Sequence, residues 1–224
     1  MFLWIWSRKG GTMGDNRDYV YDNNQLSARP EYQYIEKWIT DKARVIDLGC
    51  GNGSLLQILK NKKNMSSSGI EIAPSGVAIC AKRGLAVSQG RIDIALSQIP
   101  DNSFDFAVCN VTIQMVMNPE ILLQEMKRIA RFQIISFPNF AFFWQRLDLL
   151  FTGRMPRRLL YGYDWYSTGH IHQLSIKDFK RTADGLGLMV RDSVYLFGRR
   201  RLPFPIWPNM LATEAIFLLS KGDE

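Results

Sequence analysis

Val45-Ile46-Asp47-Leu48-Gly49-Cys50-Gly51-Asn52-Gly53-Ser54 runs from an apolar stretch through three alternating glycines into Leu55, Leu56, Ile58 and Leu59. The pattern predicts a strand, a tight turn and a helix. Glycine belongs where a backbone turns sharply or must approach a ligand, because a Cβ would clash. Such a turn also presents free N–H groups at a helix N-terminus. Gly69-Ile70-Glu71-Ile72 follows, with Glu71 twenty positions after Gly51. An acid at the end of a second strand, at about this spacing, accepts hydrogen bonds from a ribose diol.

The alternation continues on both sides. Residues 31–40 carry Tyr34, Ile35 and Trp38 at helical spacing and lead into a strand over 44–48. A helix over 53–61, a strand over 69–72 and a helix over 75–83 come next, with Pro74 suited to the first turn. Strands over 85–89 and 104–109, a helix over 120–130 and a strand over 132–136 complete the run. Strands alternating with helices predict an α/β, Rossmann-like, doubly wound parallel sheet. Residues 137–166 are aromatic-rich and irregular; a helix over 175–185 and strands over 189–197 and 213–219 follow. Ligands sit at the carboxyl ends of such strands, where Asp47, the glycines, Glu71 and Asn110 fall.

Composition sets bounds. At 224 residues with 46% hydrophobic and 22% charged content, one domain over 31–220 with its own core is expected, after a poorly ordered tail over 1–30. Cys50, Cys80 and Cys109 have no C-x-x-C spacing, which points to a reducing cytoplasm and away from disulfides or zinc. His170 and His172 are the only histidines, and with no third ligand in view no metal is expected. Residues 1–6 are apolar but too short to span a bilayer. The net charge is +7, with clusters at Arg154, Arg157 and Arg158 and at Arg199, Arg200 and Arg201. No RNA-binding module accompanies them, so nucleic acid is not the expected partner.

The glycine spacing is G-x-G-x-G preceded by Asp47, not the dinucleotide G-x-G-x-x-G. It resembles motif I of the class I S-adenosylmethionine-dependent methyltransferases. Further segments resemble one family in particular: Val87-Ser88-Gln89-Gly90, Phe104-Asp105-Phe106-Ala107-Val108, Glu125-Met126-Lys127-Arg128-Ile129, Ser136-Phe137-Pro138-Asn139, Gly153-Arg154-Met155-Pro156 and Tyr163-Asp164-Trp165-Tyr166-Ser167-Thr168-Gly169-His170-Ile171-His172. Over about residues 30–220 the chain is similar to the MetW family of methionine-biosynthesis proteins.

The resemblance implies a mostly parallel sheet closed by an antiparallel C-terminal hairpin. It implies a cytoplasmic S-adenosylmethionine-binding protein that supports a homoserine O-acyltransferase. Asp47 and the loop of Gly49, Cys50, Gly51 and Gly53 would hold the methionine end of the cofactor. Glu71, with Ile72 beside it, would hold the ribose. Ala73 stands where the family has Asp, and Arg91 where an acid bonds the adenine amino group. Arginine accepts no hydrogen bond, which leaves Asp93 as the nearest substitute. Ser167, Gly169 and His170 also depart from the family's Asp, Pro and Asn.

The resemblance leaves open whether a methyl group is transferred to a small-molecule acceptor. Such transfer is mainly a matter of positioning, and a base is needed only if the acceptor must lose a proton. Asn110-Val111-Thr112-Ile113 after the fourth strand is not the Asn/Asp-Pro-Pro-aromatic loop of nucleic-acid amine methylases. Asn110 suits either a cofactor contact or a strand-end turn. Asn139 suits either an acceptor site or a turn. His172 is either a general base or a structural histidine. Tyr163, Trp165 and Tyr166 form either an acceptor lid, a packed loop or a face for the acyltransferase.

Overall fold

The computed structural model describes residues 21, 26, 28–63, 65–157, 165, 168–203 and 206–222. Its central strand, β1 (Val45–Leu48), is buried at all four positions and pairs in parallel with β2 (Ser67–Glu71) and β4 (Phe104–Asn110). Outside β2 lies β3 (Ala86–Gln89), and outside β4 lies β5 (Ala130–Pro138), both parallel. Then β8 (Glu214–Lys221) runs antiparallel to β5, β6 (Leu188–Phe197) antiparallel to β8, and β7 (Arg200–Arg201) borders β6. The order is β3-β2-β1-β4-β5-β8-β6-β7. The mostly parallel sheet and its antiparallel end are thus as the sequence leads one to expect.

Connections leave β1 toward β2 and β3, then return to β4 on the other side. That reversal opens a crevice beyond the carboxyl ends of β1 and β4. It places the functional residues before any side chain is considered.

Strand alternation sorts the core into two layers. Ile46 and Leu48 face the layer of α4 (Pro119–Ile129) and α6 (Ile176–Gly185), with Leu122, Met126, Phe179 and Phe217. Val45 faces the layer of α1 (Tyr32–Trp38) and α2 (Ser54–Lys63), with Ile35, Leu55 and Leu59. Phe179 lies 4.9 Å from both Phe137 and Phe217, ring centroid to centroid. Such contacts are worth about 0.5–1.5 kcal/mol each beyond burial. A smaller cluster of Cys50, Leu56, Cys80 and Leu85 packs α2 against α3 (Pro74–Lys82), which has Pro74 in its first turn.

The structure corrects the reading of residues 137–166. It places a helix, α5 (Phe143–Thr152), inside that stretch, and a short helix, α7 (Pro208–Leu211), before β8. Helix α7 is too short, at four residues, for periodicity to reveal, and α5 was hidden by the aromatic content of a segment bounded by Pro138 and Pro156. Residues 1–20, most of the expected tail, and Tyr163, Tyr166 and Ser167 lie outside the described residues.

Candidate functional site

After Leu48 the chain turns through Gly49, Gly51 and Gly53 at φ of 82°, 58° and 73°. That left-handed region favours glycine. At Gly49 space adds to the requirement, since a Cβ would lie 2.6 Å from Thr112 Cγ2. Gly53 needs space too: its Cβ would meet Leu85 Cδ1 at 2.6 Å and Cys80 Sγ at 2.7 Å. Gly49 and Cys50 donate their amides to Ile70 O at 2.8 and 3.2 Å. Glu71 pins the loop from the side, accepting from the amides of Gly51 at 2.7 Å and Ala73 at 2.8 Å. A carboxylate can accept about four hydrogen bonds, so Glu71 retains capacity.

Asp47, Gly49, Cys50, Gly51, Glu71, Ile72, Asp93 and Asn110 border one cavity of about 300 Å³. These are the cofactor residues expected from sequence except Gly53, which closes the loop and packs against Cys80 and Leu85 rather than bordering the cavity. The telling atom is Asp47 Oδ1, which is buried with no hydrogen-bond partner among the described residues. Burial pushes this carboxyl up to about 7; the charge of Glu71 adds to the effect and Arg29 opposes it. A buried unpaired carboxylate is unfavourable, and an ammonium group against it would relieve the cost. Cys50 offers no nucleophile: its hydrogen bond to Cys80, then burial, push its thiol up.

Asp93 is only 4% exposed and already engaged. Arg91 grips it with two parallel bonds of 3.0 Å. The amides of Met117 and Asn118 donate to its Oδ2 at 2.8 and 3.3 Å. Burial pushes this carboxyl up, but the Arg91 fork and the two amides outweigh burial and hold it below the usual range. Arg91 therefore acts as a clamp on Asp93, and four donors fill the carboxylate that was to take over the adenine contact.

Across the cavity, Val111 sits at φ +55°, a costly conformation for a β-branched residue. Its amide is held by Ser136 O and Ser136 Oγ, each at 3.1 Å, and the Ser136 hydroxyl donates to Asn110 Oδ1 at 2.6 Å. Asn110 thus fixes the strand-end turn and also borders the cavity.

Other expectations fall elsewhere. Asn139 is a correction: it is fully buried and does not border the cavity. Its Nδ2 donates to Asn209 O at 3.1 Å and Ala212 O at 2.8 Å, while its Oδ1 accepts from the amides of Ala141 and Ile176. Every polar atom of that side chain is occupied in joining β5 to α6 and α7. His172 also lies off the cavity wall. Its amide donates to Gln114 O, Gln114 Nε2 donates back to His172 O, each at 3.1 Å, and the buried atoms Gln114 Oε1 and His172 Nε2 have no partner among the described residues. Trp165 is 71% exposed.

Sequence reading missed Tyr21, Arg29 and Tyr32, which close the cavity from before β1. The Tyr21 amide donates to Ser75 Oγ at 3.0 Å, and its hydroxyl would lie 3.1 Å from a Cβ on Gly51. Burial pushes both tyrosine hydroxyls up, so they remain donors. Nothing periodic marked Tyr21 and Arg29, which lie in a polar segment, and the periodicity of α1 marked Tyr32 only as a helix residue.

The chain matches the family model described as methionine biosynthesis protein MetW over residues 29–219. It is 32% identical over 181 residues to the bifunctional methionine biosynthesis protein MetXA/MetW of Rhodopirellula baltica, covering 77% of this chain and 29% of that protein. It is 24% identical over 96 residues to a malonyl-[acyl-carrier protein] O-methyltransferase of Paenibacillus, covering 39% of this chain and 35% of that protein. The chain thus spans about a third of the length of either relative. Solved structures share the fold. An S-adenosylmethionine-dependent methyltransferase from Mesorhizobium loti superposes with a TM-score of 0.65 at 14% identity, over 88% of this chain and 100% of that one. One from Thermotoga maritima gives 0.62 at 18% identity, over 86% and 87%. With a family match across nearly the whole described domain, the chain belongs to the MetW family of methionine-biosynthesis proteins.

Proposed function

We propose that the protein binds S-adenosylmethionine or S-adenosylhomocysteine in the crevice beyond β1 and β4. In that form it supports homoserine O-acylation by a partner acyltransferase. The observation that carries the cofactor reading is the unpartnered Asp47 Oδ1 beside a glycine cradle and a pinned Glu71. Asp47 would take the ammonium of the methionyl end, and Glu71 the ribose hydroxyls. Ile72, which borders the cavity and is 39% exposed, would cover the base. When bound, the sulfonium cofactor supplies an electrophilic methyl group; the protein's part is to hold it and exclude water.

The partner reading is supported by family membership and by the Rhodopirellula relative, whose name joins MetXA to MetW in one chain. Calorimetric titration with both cofactors tests the first part, with micromolar binding expected, about −8 kcal/mol. Co-purification of the acyltransferase from native lysate tests the second; its repeated absence counts against the partnership.

A second reading, methyl transfer to a small-molecule acceptor, is favoured by one observation. Gln114 and His172 are locked together by reciprocal bonds while Gln114 Oε1 and His172 Nε2 stay buried and unsatisfied. Buried polar atoms ordinarily find partners. Neither residue borders the cavity itself, but Met115, next in the chain to Gln114, does, and an acceptor's polar group entering past that wall would provide one. Cofactor turnover no faster than a blank across an acceptor panel would rule against this reading.

A further inference from the structure

Helix α5 is built inside out. Its one buried residue is Gln145, whose Nε2 donates to Phe140 O at 3.2 Å and whose Oε1 is buried without a partner among the described residues. Phe143, Trp144, Leu149, Leu150 and Phe151 are exposed, Leu150 at 73% and Phe151 at 78%. A surface helix of a lone globular domain carries the opposite arrangement. The apolar area continues beyond the helix. At its N-cap, Phe142 meets the half-exposed Phe197 edge-on, with centroids 5.9 Å apart. Asn139, just before it, ties down the segment of Trp207 and Leu211, both exposed. Scattered apolar side chains need no explanation, but a patch gathered on one helix and its neighbours marks an interaction surface. No residue of α5 borders the cofactor cavity, so this is a separate site.

Charge selects among occupants. Arg146, Arg154 and Arg157 are exposed on and just beyond α5, and Arg199, Arg200 and Arg201 are exposed beside Phe197. Asp148 is the single acid of the helix. A two-fold contact between copies would set the same patch against itself, arginine rim facing arginine rim. Like charges so juxtaposed are unfavourable. An apolar surface with an acidic rim fits instead. We propose that the α5 face, with Phe197 and the Trp207 segment, docks such a surface on the homoserine O-acyltransferase subunit. This rests on the partner reading given above and adds where contact is made. Aromatic and leucine side chains set in an arginine rim match the composition of interface centres.

The test uses the full chain and the purified homoserine O-acyltransferase from the same genome. Binding is measured by interferometry for the wild type, for Leu150→Asp with Phe151→Asp, and for the milder Leu150→Ser with Phe151→Ser. Both positions are exposed, so melting temperature and cofactor affinity should be retained in at least the serine pair. The expected result is wild-type binding that weakens by more than about 50-fold in the aspartate pair and about tenfold in the serine pair. Variants that bind as tightly as wild type overturn the surface while leaving the partner reading intact. No binding by the wild type overturns both. A wild-type dimer by sedimentation that the substitutions split overturns the occupant and gives the face to a second copy.

Discussion

The crevice beyond β1 and the face of α5 are incomplete in opposite ways. The crevice leaves a buried carboxylate oxygen, Asp47 Oδ1, without a partner. The α5 face leaves Leu149, Leu150 and Phe151 exposed. A buried charge calls for a small cation in a fixed position, because desolvation makes the pairing directional. Uncovered apolar area calls for a broad surface, because the hydrophobic effect is non-directional and scales with area. On the two proposals, one fold would present a small-molecule site and a protein site, built from different elements.

The sharpest way to break this division is Gly51→Val. Valine at the φ of +58° found there is strained, and its Cβ would lie 3.1 Å from Tyr21 Oη. Cofactor binding should weaken by more than about 100-fold in calorimetry, roughly 2.7 kcal/mol or more. Binding of the acyltransferase at α5 should survive. Unchanged cofactor affinity would refute the placement of the site.

Asn139→Ala should give the next largest effect, on stability. The change orphans the carbonyls of Asn209 and Ala212 and the amides of Ala141 and Ile176. Losing such a buried set costs about 2–4 kcal/mol, or about 5–15 °C in melting temperature for a chain of this size. Cofactor affinity below the melt should stay within about twofold. A parallel fall in affinity would show that the two regions are coupled through β5.

The two regions also differ in how far sequence could be read. The glycine loop was legible because backbone conformation dictates it: φ values of 82°, 58° and 73° admit little else. Glu71 was legible because strand and helix lengths fix its distance from the loop. Helix α5 was not: its aromatic-rich segment between Pro138 and Pro156 read as irregular, and its amphipathic pattern points the wrong way, with Gln145 inward and the apolar residues outward. Asn139 misled for a different reason. Its position at the end of β5 is where an acceptor site would lie, but four bonds turn the side chain into a clamp. Arg91 looked like a lost adenine contact, but in the fold it is forked onto Asp93. Pairings that span loops, such as Tyr21 over Gly51, leave no periodic trace.

Asp47→Asn probes the charge that defines the crevice. Its folded value of about 7 exceeds the ordinary 3.8, so between those values the native state binds more protons than the unfolded one. Its contribution to stability is therefore full below about pH 4 and lost as pH rises through 7. Glu214, pushed up to about 9 by burial and then by Glu31, adds a loss of the same sign that extends to higher pH. A cationic ligand favours ionised Asp47, so binding near pH 6.5 should release part of a proton, read from calorimetry in buffers of different ionisation enthalpy. Asp47→Asn should abolish that release, weaken binding about tenfold, and leave the Glu214 portion of the pH dependence in place. Proton release that persists in the variant would assign it to another group.

The smallest effect, and the finest test of the crevice, is Arg91→Ala. Arg91 fills two acceptor sites of Asp93, and the amides of Met117 and Asn118 fill the others. Those amides remain after the substitution, so Asp93 should stay ionised at neutral pH. Two lone pairs would then open toward the cavity that Asp93 borders. A ligand amino group could use one of them, and affinity for S-adenosylhomocysteine should tighten about threefold, somewhat under 1 kcal/mol. Loss of a partly exposed ion pair should lower the melting temperature by only about 2 °C. Weaker binding by the alanine variant would mean that the arginine itself meets the ligand. The crevice would then have replaced an acid with a base at that wall, and a ligand group able to accept a hydrogen bond from the guanidinium would have to be sought there.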